Sequence, residues 1–157
     1  MKNKAILLGA IVMLLSAGQL NAAGTNNKSR PVKMVSYYNG RMSVEEMTKN
    51  LEFDFCKADI PFGENQQLNE LAKYMLDNNA AIAIRGHADA IGTYVGNWKM
   101  SDKRANCVKD YLIKKGVAKD KIITTPFGST IPIASNKTAY GRQRNRRVEL
   151  RLQELKS

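Results

Sequence analysis

At 157 residues the chain has room for one domain of ordinary size with a substantial core. A formal net charge of +11 argues against cationic partners and favours polyanions: nucleic acid, anionic lipid headgroups or an acidic polymer. A single histidine and two cysteines leave little from which to build a metal centre.

The N-terminus decides among the polyanions. Lys2 and Lys4 precede an apolar stretch from Ala5 to Leu15, and small and polar residues lead to Asn21-Ala22-Ala23. This is the layout of a secretory signal peptide over residues 1–22. The apolar core is shorter than the roughly 20 residues a bilayer-spanning helix needs. The mature chain is therefore expected to carry no transmembrane segment and a charge of 25 minus 2 minus 14, or +9. An exported protein is a poor match for nucleic acid, although the basic run from Arg142 to Arg147 fits the charge.

Residues 23–48 read as a flexible lead, with a local strand at Val32 to Tyr38 and a short helix after Ser43. Ser43-Val44-Glu45-Glu46 has capping-box spacing. Leu51, Phe53 and Phe55 alternate with polar residues, as in a half-buried strand. Pro61-Phe62-Gly63 breaks the chain before an amphipathic helix carrying Leu68, Leu71, Ala72, Met75 and Leu76 on one face, ended by Asp77-Asn78-Asn79. Ala81 to Ile84 is an apolar run expected to be a buried strand, closing at Arg85-Gly86-His87.

A loop holding Asp89 and Gly92 follows, then a second helix with Ala105, Val108 and Leu112 on one face, stopped by Gly116. A third strand is expected at about 122–127, a loop over 129–141, and a last strand at about 147–152 with Val148, Leu150 and Leu152 alternating. The fold class is α+β: a two-layer sandwich in the order β-α-β-α-β-β, with a mixed sheet and helices packed on one face.

Strand end, turn and helix start place Asp89 and Arg104 near one rim of the sheet. A carboxylate and a guanidinium that converge without neutralising each other suit a ligand bearing both an ammonium and a carboxylate. The local alternative for Asp89 is a turn cap. Asn97, near the helix start, suits either a cap or a ligand contact. His87, with no third ligand to join it and Asp89, reads as a packed residue rather than a metal site. Trp98 and Tyr94 suit stacking on sugar or peptide, or core packing. No nucleophile–base set is evident, so neither an enzyme nor a cofactor is expected. Cys56 and Cys107 are oxidisable in an exported protein, and a disulfide between them or two free thiols remain open alternatives.

The pattern Gly86-His87-Ala88-Asp89-Ala90-Ile91-Gly92, then Asn97, Met100-Ser101, Arg104-Ala105, Val108 and Tyr111-Leu112, resembles the peptidoglycan-binding domain of the OmpA/MotB/Pal type. Pro132-Ile133-Ala134, Thr138, Gly141-Arg142 and Asn145 to Glu149 are similar to that family's closing motif in order and spacing. The resemblance covers about 49–154, within an expected binding domain at 49–157. It implies binding of peptidoglycan at the free end of diaminopimelate in the stem peptide, with Asp89 taking the ammonium and Arg104 the carboxylate. Asn97 would join them, Arg146 would be a second guanidinium near the carboxylate, and Arg147 would be more structural.

The implied location is the periplasm of a Gram-negative envelope, in association with the outer membrane. An alternative partner is another envelope protein, docked by the same fold without wall binding. Ala88 stands where the family usually has Thr, Met100 where it has Leu, and Pro126 where Gly is common. The first departure removes a hydroxyl beside Asp89.

Overall fold

The computed structural model describes residues 37–38 and 41–153. The expected signal peptide, and the part of the 32–38 strand before Tyr37, lie outside these residues. Tyr37–Tyr38 (β1) and Arg41–Met42 (β2) pair antiparallel as a small ribbon. Val44–Met47 (α1) starts with the capping box read from the sequence: the Ser43 hydroxyl accepts from the Glu46 amide, and the Glu46 carboxylate accepts from the Ser43 amide.

The main sheet has four strands. These are Leu51–Glu52 (β3), Ala81–Gly86 (β4), Ile122–Pro126 (β5) and Arg147–Gln153 (β6), in the order β3-β6-β4-β5. β4 and β5 run parallel, while β6 runs antiparallel to both β3 and β4, so the sheet is mixed. Asn65–Asp77 (α2) and Tyr94–Lys114 (α3) supply the helical layer. The α+β sandwich is the one expected.

Period-two alternation determines which face of the sheet is covered. In β4, Ile82, Ile84 and Gly86 are buried, while Ala81, Ala83 and Arg85 are only partly so. The buried side chains meet Leu68, Leu71, Ala72 and Met75 of α2, and Ala105, Val108 and Leu112 of α3, in one core that also takes in Leu51, Phe53, Val148 and Leu150. Removing each such side chain from water is worth about 1.5–3 kcal/mol.

Three expectations need correction. A further helix, Ala139–Asn145 (α4), lies inside the stretch read as a loop and running into β6, so the order is β-α-β-α-β-α-β from β3 onward. Its cap, the Thr138 hydroxyl accepting from the Gly141 amide, is a legible signal, but its polar, arginine-rich face carries no apolar stripe. The alternating 51–55 segment keeps strand pairing only at Leu51–Glu52; Phe53 is buried, and the chain then turns through Cys56 at φ 55°, leaving Phe55 exposed. Leu76, assigned to the apolar face of α2, is 52% exposed at the rim of that stripe.

The register of α3 against β4 depends on Gly86. A Cβ there would lie 1.9 Å from the Ser101 carbonyl oxygen, so helix backbone sits directly on strand backbone. Gly86→Ala is expected to destabilise the protein by about 3 kcal/mol, the upper end of overpacking costs, read as a lower urea midpoint at unchanged slope.

Candidate functional site

The site forms where β4 and β5 end and β6 begins. Beyond Gly86 the chain stays tied to both neighbours: the His87 amide donates to the Arg147 carbonyl at 2.8 Å and the Ala88 amide to the Gly128 carbonyl at 2.7 Å. Asp89 is thus delivered from a fixed strand end, and only 3% of it is exposed. One carboxylate oxygen, Oδ1, accepts from the Ile91 amide at 2.9 Å, which is the turn-capping role. The other, Oδ2, accepts from Arg146 Nη1 at 2.6 Å. Turn cap and charged site are one and the same residue.

Asp89 is therefore paired, and its partner is Arg146 rather than Arg104. Arg146 caps the C-terminus of α4 immediately before β6. Its Nε donates to the Phe53 carbonyl at 3.2 Å, its Nη2 donates to the Gln143 side chain, and its guanidinium lies 5.9 Å from the Phe55 ring centroid. Removing the pair from water is costly, and these extra bonds and the aromatic face offset part of that cost.

Arg104 lies 1% exposed on the inner face of α3. Its Nε donates to the Lys57 carbonyl at 3.0 Å, Nη1 to the His87 carbonyl at 3.0 Å and Nη2 to the Asp54 carbonyl at 3.2 Å. The guanidinium knits the 54–57 turn to the strand end without a carboxylate of its own. Burial, and then the nearby positive charge of Arg146, lower its pKa to about 10, while Asp89 acts in the opposite direction. Two guanidinium groups and one carboxylate thus form one nearly buried cluster with net positive charge.

Asn97 does not cap α3; Thr93 does, its hydroxyl accepting from the Gly96 amide. Buried Asn97 instead donates from Nδ2 to the Asp89 backbone carbonyl at 3.1 Å. Asp89, Asn97, Arg104 and Arg146 are all brought together. Residues not singled out beforehand complete the setting: Phe53 and Phe55 as aromatic walls, Gln143 against Arg146, and Asn136, whose side-chain oxygen accepts from the Ala90 amide at 3.2 Å. Phe53 and Phe55 had a signal in their alternation; Gln143 and Asn136 had none, because they arrive through long-range contacts.

Arg147 is fully buried and structural in character, pairing with Glu149 at 2.6 Å and donating to the Ile131 carbonyl. His87 is packed, as expected. It stacks on Phe127 at 5.2 Å, and neither ring nitrogen has a hydrogen-bond partner; Glu149 Oε1 approaches Nε2 only to 3.5 Å. The cysteines are free: Cys56 is exposed on its left-handed turn and Cys107 half-buried on α3, where burial raises its thiol pKa. Among the described residues, no group of three or more His, Cys, Asp or Glu could hold a metal ion, and no helix is long and apolar enough to cross a membrane.

The model of the OmpA family matches residues 52–146, which include all four clustered residues. Outer membrane protein A of Bordetella avium is 44% identical over 102 residues, covering 64% of this chain and 52% of that protein. The chain thus spans about half the length of that relative. A peptidoglycan-associated lipoprotein of Buchnera aphidicola is 32% identical over 126 residues, covering 78% of this chain and 73% of the relative. Among solved structures, the peptidoglycan-associated lipoprotein of Burkholderia pseudomallei superposes with a TM-score of 0.65 at 27% identity, covering 66% of this chain and 89% of that one.

His87 gives the site a pH signature. Burial, reinforced by the charge of Arg147, lowers its pKa to about 4 from an ordinary 6.5. As pH falls, the unfolded chain takes up this proton first, so stability drops between the two values and levels off below the lower one. The expected loss is roughly 2–4 kcal/mol. Glu149, whose pKa is lowered by hydrogen bonds from Arg147 and Arg151 that outweigh its burial, adds its own loss only below its ordinary 4.5. His87→Phe, which keeps the stack, should flatten the urea midpoint between pH 6.5 and 4.5; an unchanged slope would assign the decline to other groups.

Proposed function

Because the chain belongs to the OmpA family, matched over residues 52–146, we propose that it binds cell-wall peptidoglycan non-covalently through the diaminopimelate end of the stem peptide. It does so in the periplasm, exported by the signal at 1–22, with residues 49–157 as the binding module and the outer membrane as its neighbourhood. The single observation that carries this reading is the buried Asp89–Arg146 pair, 2.6 Å long, with Arg104 beside it at the sheet rim.

The amino-acid end of diaminopimelate is a zwitterion, and the Asp89, Arg146 and Arg104 cluster offers it one carboxylate and two guanidinium groups. Entry exchanges partners: the ligand ammonium takes Asp89, and the ligand carboxylate takes Arg146 together with the N–H groups of Arg104 not used on carbonyls. Of five guanidinium N–H donors, three serve the Lys57, His87 and Asp54 carbonyls among the described residues, leaving five minus three, or two. No buried charge is stranded in the exchange, which keeps its cost low. Asn97 acts by fixing the Asp89 backbone.

Each charge-assisted bond is worth about 1.5–3 kcal/mol, and the resting ion pair must first be opened. Affinity for one headgroup is accordingly on the order of micromolar or weaker, and repeated sites along the polymer supply retention. The chemistry is binding alone, with no bond made or broken.

Asp89→Ala and Arg146→Gln should each abolish retention of the purified protein on sacculi while leaving its circular dichroism native. Unchanged retention in both would reject the pocket and favour docking of an envelope protein instead. Arg104→Ala also removes three bonds to carbonyls, so its loss of retention is expected to come with a lower melting temperature. A stem peptide carrying diaminopimelate should bind at least tenfold more tightly than its lysine counterpart, which lacks the distal carboxylate. Equal affinities by calorimetry would refute recognition of that headgroup.

A further inference from the structure

We propose that Tyr94 and Trp98 form a shelf that stacks on a sugar ring of the wall's amino-sugar glycan, on the same turn of α3 as Asn97, which bonds the Asp89 backbone. This inference rests on the peptidoglycan reading above and extends it from the peptide to the glycan. Tyr94, Val95, Trp98 and Lys99 stand at i, i+1, i+4 and i+5 of α3 and share one face. The first three are 64%, 58% and 43% exposed, so they are not core. They line a shallow cleft of about 280 Å³, with the Tyr94 and Trp98 ring centroids 6.4 Å apart and the rings inclined at 31°. Ile91, 47% exposed, belongs to the loop that leads from Asp89 into this helix.

Clustered exposed apolar side chains of this kind mark a binding surface rather than ordinary scatter. Their place in the helix, beside the charged cluster, favours one occupant. Asn97 precedes Trp98 and donates to the Asp89 carbonyl, and Gly128 packs so closely that a Cβ there would lie 3.4 Å from the Trp98 amide nitrogen. One turn of helix therefore presents the peptide site on its inner side and the aromatic shelf on its outer side. A polymer that puts a zwitterionic peptide end into the first offers pyranose rings to the second.

A pyranose ring suits such a shelf chemically. Its C–H face is apolar and lies flat on an aromatic ring, while its hydroxyl and acetamido edge stays in water. Lys99, at the margin of the cleft, is placed to donate to an acetamido or stem-peptide carbonyl. A second copy of this chain is the less favourable occupant, because an exported chain of charge 25 minus 2 minus 14, or +9, with Lys99 at the contact repels itself.

Trp98 is the single tryptophan in the sequence, so its emission reports on the shelf alone. Titration of the full chain with chitotetraose, a soluble β-1,4-linked N-acetylglucosamine oligomer, should give a saturable change in that emission. The change should persist in Asp89→Asn and weaken about fivefold in Tyr94→Ala, which keeps the reporter. No saturable change, or an unaltered one in Tyr94→Ala, overturns the inference, as does concentration-dependent dimerisation in sedimentation that Trp98→Ala abolishes. The two readings fail separately. A silent chitotetraose titration alongside intact binding of the diaminopimelate peptide removes only the shelf, whereas a positive titration with sacculus retention indifferent to Asp89 removes only the pocket.

Discussion

A carboxylate and a guanidinium held 2.6 Å apart, both largely out of water, organise this end of the molecule. Asp89 arrives from the end of β4, and Arg146 arrives from the end of α4 just before β6. The bond therefore links the two central strands of the sheet where their backbone ladder stops. Such a pair is a weak source of stability, because desolvation consumes most of its attraction. Its value is positional: it gathers one negative and two positive groups at the end of the sheet, the arrangement on which the proposed ligand exchange rests.

Arg104 shows how the scaffold holds that arrangement. Its guanidinium bonds three backbone carbonyls and no carboxylate among the described residues, and two of its N–H groups lie beyond those bonds, so it is a buried cation without a salt bridge of its own. The carbonyls come from the 54–57 turn and from His87, so one side chain bridges two segments distant in sequence. The Phe53 backbone is tied in turn to Arg146, and Phe53 and Phe55 flank the two guanidinium groups. Arg104 is an architectural side chain, and the proposed carboxylate contact would draw on the same group.

Close backbone packing supplies the remaining constraint. Gly86 allows α3 to sit directly against β4, and Gly128 allows the loop after β5 to sit against the start of the same helix. The helix is thereby fixed at both Asn97 and Trp98. Buried His87, stacked and without hydrogen-bond partners for its ring among the described residues, is bonded through its backbone to Arg104 and Arg147, so acid weakens the fold beside the charged cluster.

Local chemistry was enough to read the class of fold, the two long helices, the Ser43 capping box and the strand at 81–86. Each is set by apolar periodicity or by short-range hydrogen bonding, both of which are visible within a few residues. The four clustered residues were also legible as neighbours, through motifs whose order and spacing resemble a known family. Their bonding was not. Asp89 and Arg104 are expected to converge without neutralising each other, and Arg104 does stay off Asp89, on carbonyls from a turn some fifty positions away. But the antiparallel return of β6 brings Arg146 onto Asp89, which the sequence pattern left unpaired. The outward turn of Phe55 and the free state of both cysteines belong to the same category. They depend on contacts between distant parts of the chain, which hydrophobic pattern and capping rules do not encode.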